Sequence, residues 1–218
     1  MNWNIVKGAC LALLPVAGTL KAQEKPNIVV ILADDLASNE ISCYGGKNLK
    51  TPNIDRIAEE GIRFTNNFAS CAMSVPIRAS LYTGLYPARH GSYQNHKISY
   101  SDIKSVTYYL PQAGYRVGRA GKTHTVPKSV FNFEKVPGFE ENCIAVTADY
   151  TVDGIRDFMR QDSPFCLFVC STLSHAPWTC GNKDEFDADK VILPPNCVDN
   201  KGCLLYTSPS PRDRSVSR

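Results

Sequence analysis

The most chemically loaded stretch of the chain is Ser74-Val75-Pro76-Ile77-Arg78-Ala79-Ser80-Leu81-Tyr82-Thr83-Gly84. A hydroxyl stands just before a segment that opens as a helix at Pro76 and stops at Gly84, and the free N–H groups of such an end favour anions. Arg78, one turn in, can bring a guanidinium to the same spot; a capping serine beside a surface arginine is the plainer reading. Asp34-Asp35 places two carboxylates side by side. Their repulsion is best relieved by a cation, and all-oxygen ligation suits calcium; a solvated turn is the alternative. Lys122 and His124 are two apart, so on extended chain they share a face. There an ammonium can hold an oxyanion while the imidazole moves protons. His175, in Ser174-His175-Ala176-Pro177-Trp178, would on its own be a structural histidine more often than a catalytic one. Arg89-His90-Gly91-Ser92-Tyr93 reads equally as pocket lining and as a loop whose histidine makes hydrogen bonds, and His96 has no assigned role.

Residues 27–33 are continuously apolar and β-branched, which predicts a strand buried on both faces, closed by Asp34-Asp35. Thr51-Pro52 predicts a helix running to Glu60, with Ile54 and Ile57 on its inner face and Gly61 as its stop. A short strand is expected around Phe64, a helix over 76–83, and another over 105–113 that Pro111 weakens. A strand over 115–120, an amphipathic helix marked by Val152, Ile155, Phe158 and Met159, and a buried strand over 165–172 follow. Strands alternating with helices predict an α/β fold with a largely parallel sheet. Ligands of such sheets bind beyond the carboxyl ends of the strands. Asp34-Asp35, Lys122 with His124, and His175 each follow a predicted strand, so distant positions are expected on one rim. Cys166 and Cys170 lie on one apolar run and are expected to pack in the core. No Cys/His spacing resembles a zinc site.

The run 74–84 resembles the sulfatase signature: Cys or Ser, any residue, Pro, any residue, Arg, then Leu-x-Thr-Gly. Ile77 departs from the usual serine at its place, while Pro76 and Arg78 are both present. Gly121-Lys122-Thr123-His124 resembles the family's Gly-Lys-x-His motif, and the segment around His175 its later His-x-Pro motif. Thr51-Pro52-Asn53-Ile54-Asp55 and Gly61-Ile62-Arg63-Phe64 look similar as well. The stretch from Gly121 to Phe133 looks most like the heparan N-sulfatase branch, and the resemblance spans residues 26 to about 200.

The resemblance implies an alkaline phosphatase-like sandwich, truncated before its second half and small C-terminal domain. It implies a hydrolase of sulfate esters or sulfamates on sulfated carbohydrate. In this family the first signature residue is oxidised to formylglycine, here Ser74, by a dedicated maturase. The hydrated aldehyde then offers one hydroxyl to take the sulfuryl group and a second that lets it collapse. The roles implied are Asp34, Asp35 and residue 74 as calcium ligands, Arg78 steadying residue 74, and Lys122 on the sulfate. His124 would be the proton acceptor and His175 the assistant to the leaving group. The family's later Asp-Asn metal pair has no match; Asp199-Asn200 follows no predicted strand. The competing reading is a phosphatase or phosphodiesterase of the alkaline phosphatase superfamily that uses unmodified Ser74.

Hydrophobic residues make up 43% and charged residues 21% of the 218, the balance of a globular protein rather than a multi-span membrane protein. Residues 1–22 read as a signal peptide, with Lys7 before a short apolar core, which implies export to a periplasmic or extracellular space and no membrane attachment after cleavage. Residues 203–218 look foreign: 203–213 resemble the in-frame translation of a sequencing adapter, so residues 23–202 are expected to be the catalytic-domain part. Taking the two lysines of 1–22 and the net two positive charges of 203–218 from the formal +3 leaves −1, which gives no reason to expect nucleic-acid binding. Removing Cys10 and Cys203 from nine cysteines leaves seven. Export permits disulfides, but their pairing is not readable from spacing.

Overall fold

A computed structural model describes residues 25–142, 150–176, 180 and 191–192. The expected signal peptide, the 203–218 tail, Pro177 with Trp178, and Asp199-Asn200 lie outside these residues.

Strand β4 (Phe165–Ser171) organises the molecule. Its residues alternate between two faces, as any strand's must. Cys166, Phe168 and Cys170 enter one buried cluster, and Phe165 and Leu167 enter the other. It pairs in parallel with β1 (Ile28–Ala33) on one side and with β2 (Arg116–Gly121) on the other. Strand β3 (Glu134–Val136) adds to β2, giving the all-parallel order β1-β4-β2-β3. The helices are α1 (Pro52–Glu60), α2 (Ser74–Thr83), α3 (Pro87–His90), α4 (Val106–Gln112) and α5 (Asp153–Met159). The expected α/β class with a parallel sheet is the one observed.

Helix α2 packs through Tyr82, whose ring meets Phe133 and Phe168 edge-on at 4.8 and 5.2 Å. Such aromatic pairs contribute about 0.5–1.5 kcal/mol each beyond the area they bury. The helix stops at Gly84, which takes φ 70° and donates its N–H to Ser80 O at 2.8 Å. On the opposite face Phe158 of α5 lies against Gly118, where a Cβ would stand 2.6 Å from its ring, so only glycine lets the helix approach. Pro111 lacks the N–H that would bond the carbonyl four residues back, and α4 stops one residue after it; the start of the helix is capped by Ser105 accepting from Thr107 N at 3.3 Å.

Three local expectations are corrected. β1 is not buried on both faces: it is the sheet edge, and Val29 and Ile31 are 47% and 65% exposed. Ile54 and Ile57 of α1 are likewise exposed rather than inward-facing. Residues around Phe64 form no strand, and Phe64 is 65% exposed. In each case apolar character states a demand for burial, but a neighbouring element has to meet it. No described element covers these side chains.

Candidate active site

Parallel pairing carries Asp34 and Lys122 to one rim. Asp34 N donates to Ser171 O and Lys122 N to Cys170 O, both at 3.0 Å, so each begins where its strand leaves the sheet beside the end of β4. The chain then turns. Asp35 takes φ 58° and Gly121 φ 83°. A Cβ on Gly121 would lie 2.2 Å from Cys170 O, which reserves that turn for glycine. After β4, Ser174 Oγ donates to Asp34 O at 2.7 Å and ties the His175 segment to the same rim.

Helix α2 approaches this rim with its first turn. Ser74 is the first helical residue rather than the residue before the helix, because Met73 occupies the cap position without a side-chain cap. The helix end is less open than expected: Val75 N donates to Asn95 Oδ1 at 3.0 Å, Ile77 N donates to Met73 O at 3.1 Å, and Pro76 has no N–H. The anion-attracting character of the spot therefore comes from side chains more than from free amides. Arg78 is a buried residue rather than a surface arginine. It donates from Nε to Ser74 Oγ at 3.2 Å and from Nη2 to Asp34 Oδ1 at 3.0 Å. Lys122, wholly buried, donates from Nζ to Asp34 Oδ2. His124 Nδ1 lies 3.3 Å from Ser74 Oγ. Lys122 and His124 do converge, but not by strand alternation: β2 ends at Gly121, and His124 itself takes φ 41°. His175 donates from Nδ1 to Ala176 O at 2.7 Å, which leaves Nε2 facing the site, 3.5 Å from Asp35 Oδ2 and 3.9 Å from Asp34 Oδ2.

The buried trio Asp34, Arg78 and Lys122 carries one more positive charge than negative, and the exposed Asp35 at the cavity rim offsets it. Burial alone would raise the Asp34 carboxyl, but hydrogen bonds from Lys122 and Arg78, with their charges, hold it below its ordinary 3.8. His124 is pushed down to about 4, first by burial and then by electrostatic repulsion from Lys122, His96 and Arg78. It is neutral at pH 7 and able to accept a proton. Arg78 Nη1 and His124 Nε2 are buried with no hydrogen-bond partner among the described residues. Such orphaned groups are costly unless a ligand or solvent answers them. A cavity of about 220 Å³ opens beside Arg78, lined by Asp34, Asp35, Ser74 and Arg78 with Leu32 and Ile77 as apolar wall. A larger cavity of about 430 Å³, lined by Lys25, Asn27, Gly114 and Asp162, lies before β1 and β4 and contains none of these groups.

For a divalent cation, Asp34, Asp35 and the residue 74 oxygen are the donors within this cluster. They have the oxygen chemistry calcium prefers, but calcium takes six to eight ligands. No group of three or more His, Cys, Asp or Glu that could hold a metal occurs among the described residues. The donor type fits, and the donor count is partial.

His90 does not line the pocket. It is fully buried, accepts from Ser92 N at Nδ1 at 3.1 Å, and so presents Nε2–H to Ser80 Oγ, also at 3.1 Å. Two residues without an assigned role prove to be near neighbours. Asn95 caps Val75, and the His96 ring lies 5.3 Å from that of His124. The signal available beforehand was the scarcity of histidine: of four in the chain, three meet here.

The sulfatase family model matches residues 26–191. The chain is 38% identical to the ulvan-active sulfatase of Formosa agariphila over 161 residues, 71% of this chain and 31% of that protein. It is 34% identical to the N-sulphoglucosamine sulphohydrolase of Homo sapiens over 185 residues, 80% of this chain and 36% of that protein. It thus spans about a third of the length of these curated relatives. The solved structure of BT4656 in complex with its substrate D-glucosamine-2-N,6-O-disulfate superposes with a TM-score of 0.60 at 30% identity, over 71% of this chain and 36% of that one. With the signature at the mouth of α2, the motifs gathered on one rim of an alkaline phosphatase-like parallel sheet, and a match over most of its length, the chain belongs to the sulfatase family.

Proposed function

We propose that the protein hydrolyses a sulfate ester or sulfamate on a sulfated carbohydrate, with Ser74 oxidised to formylglycine by a maturase and with calcium bound beside it. The observation that carries this reading is the placement of Ser74 Oγ. It lies 3.2 Å from Arg78 Nε and 3.3 Å from His124 Nδ1, next to a buried cluster with a surplus of positive charge. The relatives named above act on, or are named for, sulfated sugars, which points to the same substrate class.

Asp34, Asp35 and the residue 74 oxygen would hold calcium, which supplies neutralisation of the sulfate's negative charge. Formylglycine supplies, as its hydrate, a second hydroxyl that serine lacks. The chain's own residues do the rest. Arg78 bridges Asp34 and residue 74 and fixes the attacking oxygen against the carboxylate. Lys122, locked on Asp34 in a water-excluded position, keeps a positive charge where sulfate oxygens develop theirs, and preorganised charge of this kind needs no rearrangement during reaction. His124, held neutral, takes the proton from a hydroxyl at position 74. His175 presents Nε2 from the third strand end and serves the departing oxygen or nitrogen of the sugar. Residues 1–22 would direct export to the periplasm or the medium. Among the described residues, no helix is long and apolar enough to cross a membrane.

Mass spectrometry of the peptide containing Ser74, from protein matured in a host with a formylglycine-generating enzyme, tests the proposal. The expected result is loss of two hydrogens at Ser74. An intact serine in protein that nonetheless cleaves its ester would overturn it and favour the phosphatase reading.

A further inference from the structure

His96 is assigned no step of its own in the chemistry above, yet the fold holds it at the mouth of the site beside His124. Its loop is pinned on every side. Ser92 Oγ pairs with Ser99 Oγ at 2.8 Å and donates to Lys97 O at 3.0 Å, Ser99 N donates to Val126 O at 2.9 Å, and Tyr100 N donates to His90 O at 3.0 Å. Asn95 Oδ1 accepts Val75 N at 3.0 Å, fastening the loop to the helix turn that carries Ser74. Within this frame His96 adopts φ 64°, a left-handed conformation that a non-glycine residue keeps only where its surroundings impose it. The imidazole is delivered to a particular place, 5.3 Å between ring centroids from His124.

Exposure increases along one line through the site. Lys122, Asp34 and Arg78 are buried, Ser74 and His124 are half-buried, and His96 is exposed. An anionic ester entering with its charge toward the cations leaves its sugar at the exposed end, beside His96. Among the described residues neither ring nitrogen of His96 has a hydrogen-bond partner, and at the neighbouring His124 ring the charges of Lys122 and Arg78 outweigh that of Asp34. The ligand atom complementary to that corner is an anionic oxygen.

We propose that His96 is a specificity residue that binds a second anionic substituent of the sulfated sugar, next to the group being cleaved. This rests on the sulfatase reading of the site and adds a preference for sugars carrying two anionic groups.

The test compares wild type with His96→Ala and with His96→Asn, which tolerates the left-handed backbone. Each is expressed at the protein's natural length in a maturase-bearing host, and thermal melting checks the fold. kcat/KM is measured on glucosamine 2-N,6-O-disulfate, on the two glucosamine monosulfates, and on a small aryl sulfate. Affinity for the disulfate is read separately by calorimetry. Loss of a charge-assisted hydrogen bond predicts about a tenfold fall in kcat/KM and affinity for the disulfate in both variants. Monosulfate and aryl sulfate turnover should change less than about twofold. An equal fall on every substrate would make His96 a support for His124 and overturn the proposal, as would no fall on the disulfate. A wild type that neither binds nor cleaves any sulfated substrate would remove the sulfatase reading itself, a result distinct from an active wild type whose variants keep the same substrate ratio.

Discussion

Replacing Asp34 by Asn tests whether the site is held together by charge. Asp34 accepts from Arg78 at one oxygen and from Lys122 at the other, and the three side chains are 7%, 5% and 0% exposed. Asn preserves size and one acceptor but removes the only negative charge of the trio, taking its net charge from +1 to +2. Breaking a buried pair from one side costs about 3–5 kcal/mol, a large part of the roughly 5–15 kcal/mol that stabilises a domain. For a chain of this length each kcal/mol moves Tm by about 2–4 °C, so a fall of about 6–20 °C is expected by calorimetry in chelator, with a matching shift of the urea midpoint at unchanged slope. The double variant Asp34→Asn, Lys122→Met restores the net charge to +1 and should recover about 1–3 kcal/mol of the loss. Acid dependence supplies a second reading. The Asp34 carboxyl is held below its ordinary 3.8 in the folded state, so its contribution is complete above about that pH and is lost as pH falls through the lower folded value. Asp34→Asn should lack that segment of the acid limb. A single variant within about 0.5 kcal/mol of wild type, or a double variant no more stable than the single, refutes the reasoning.

His124, pushed down to about 4 from an ordinary 6.5, resists protonation when folded while the unfolded chain does not. Stability should therefore be complete above 6.5 and decline as pH falls from there toward 4; His124→Gln should flatten this limb, and an NMR titration of His124 near 6.5 would contradict it. Gly121→Ala places a Cβ 2.2 Å from Cys170 O at φ 83°. Backbone strain alone should cost about 1–3 kcal/mol, with Lys122 displaced, and a wild-type melting curve would show that the turn is not confined. The two carboxylates of the described site are few for calcium, so calorimetric titration of purified 1–218 should give a Kd of about millimolar or weaker; micromolar binding would mean that the donor set is larger.

Residue types and spacing marked most of the candidate site. A hydroxyl four positions before an arginine on one helix, paired aspartates after an apolar run, and Lys122 two before His124 were legible because each is a local pattern. Local patterns also placed α1, α2, α4, α5, β1, β2 and β4, and the rule that parallel strands send their carboxyl ends to one rim brought Asp34, Lys122 and His175 together. What spacing does not contain is partnership across the chain. Burial of Arg78 on Asp34, the lock of Lys122 on the same carboxylate, and the seat of His96 beside His124 join residues 44, 88 and 28 positions apart, and only packing decides them. The same limit misread β1 and α1. Val29, Ile31, Ile54 and Ile57 announce apolar faces, but whether a face is covered depends on which elements come to lie against it, and a hydrophobic pattern records the requirement without naming the neighbour.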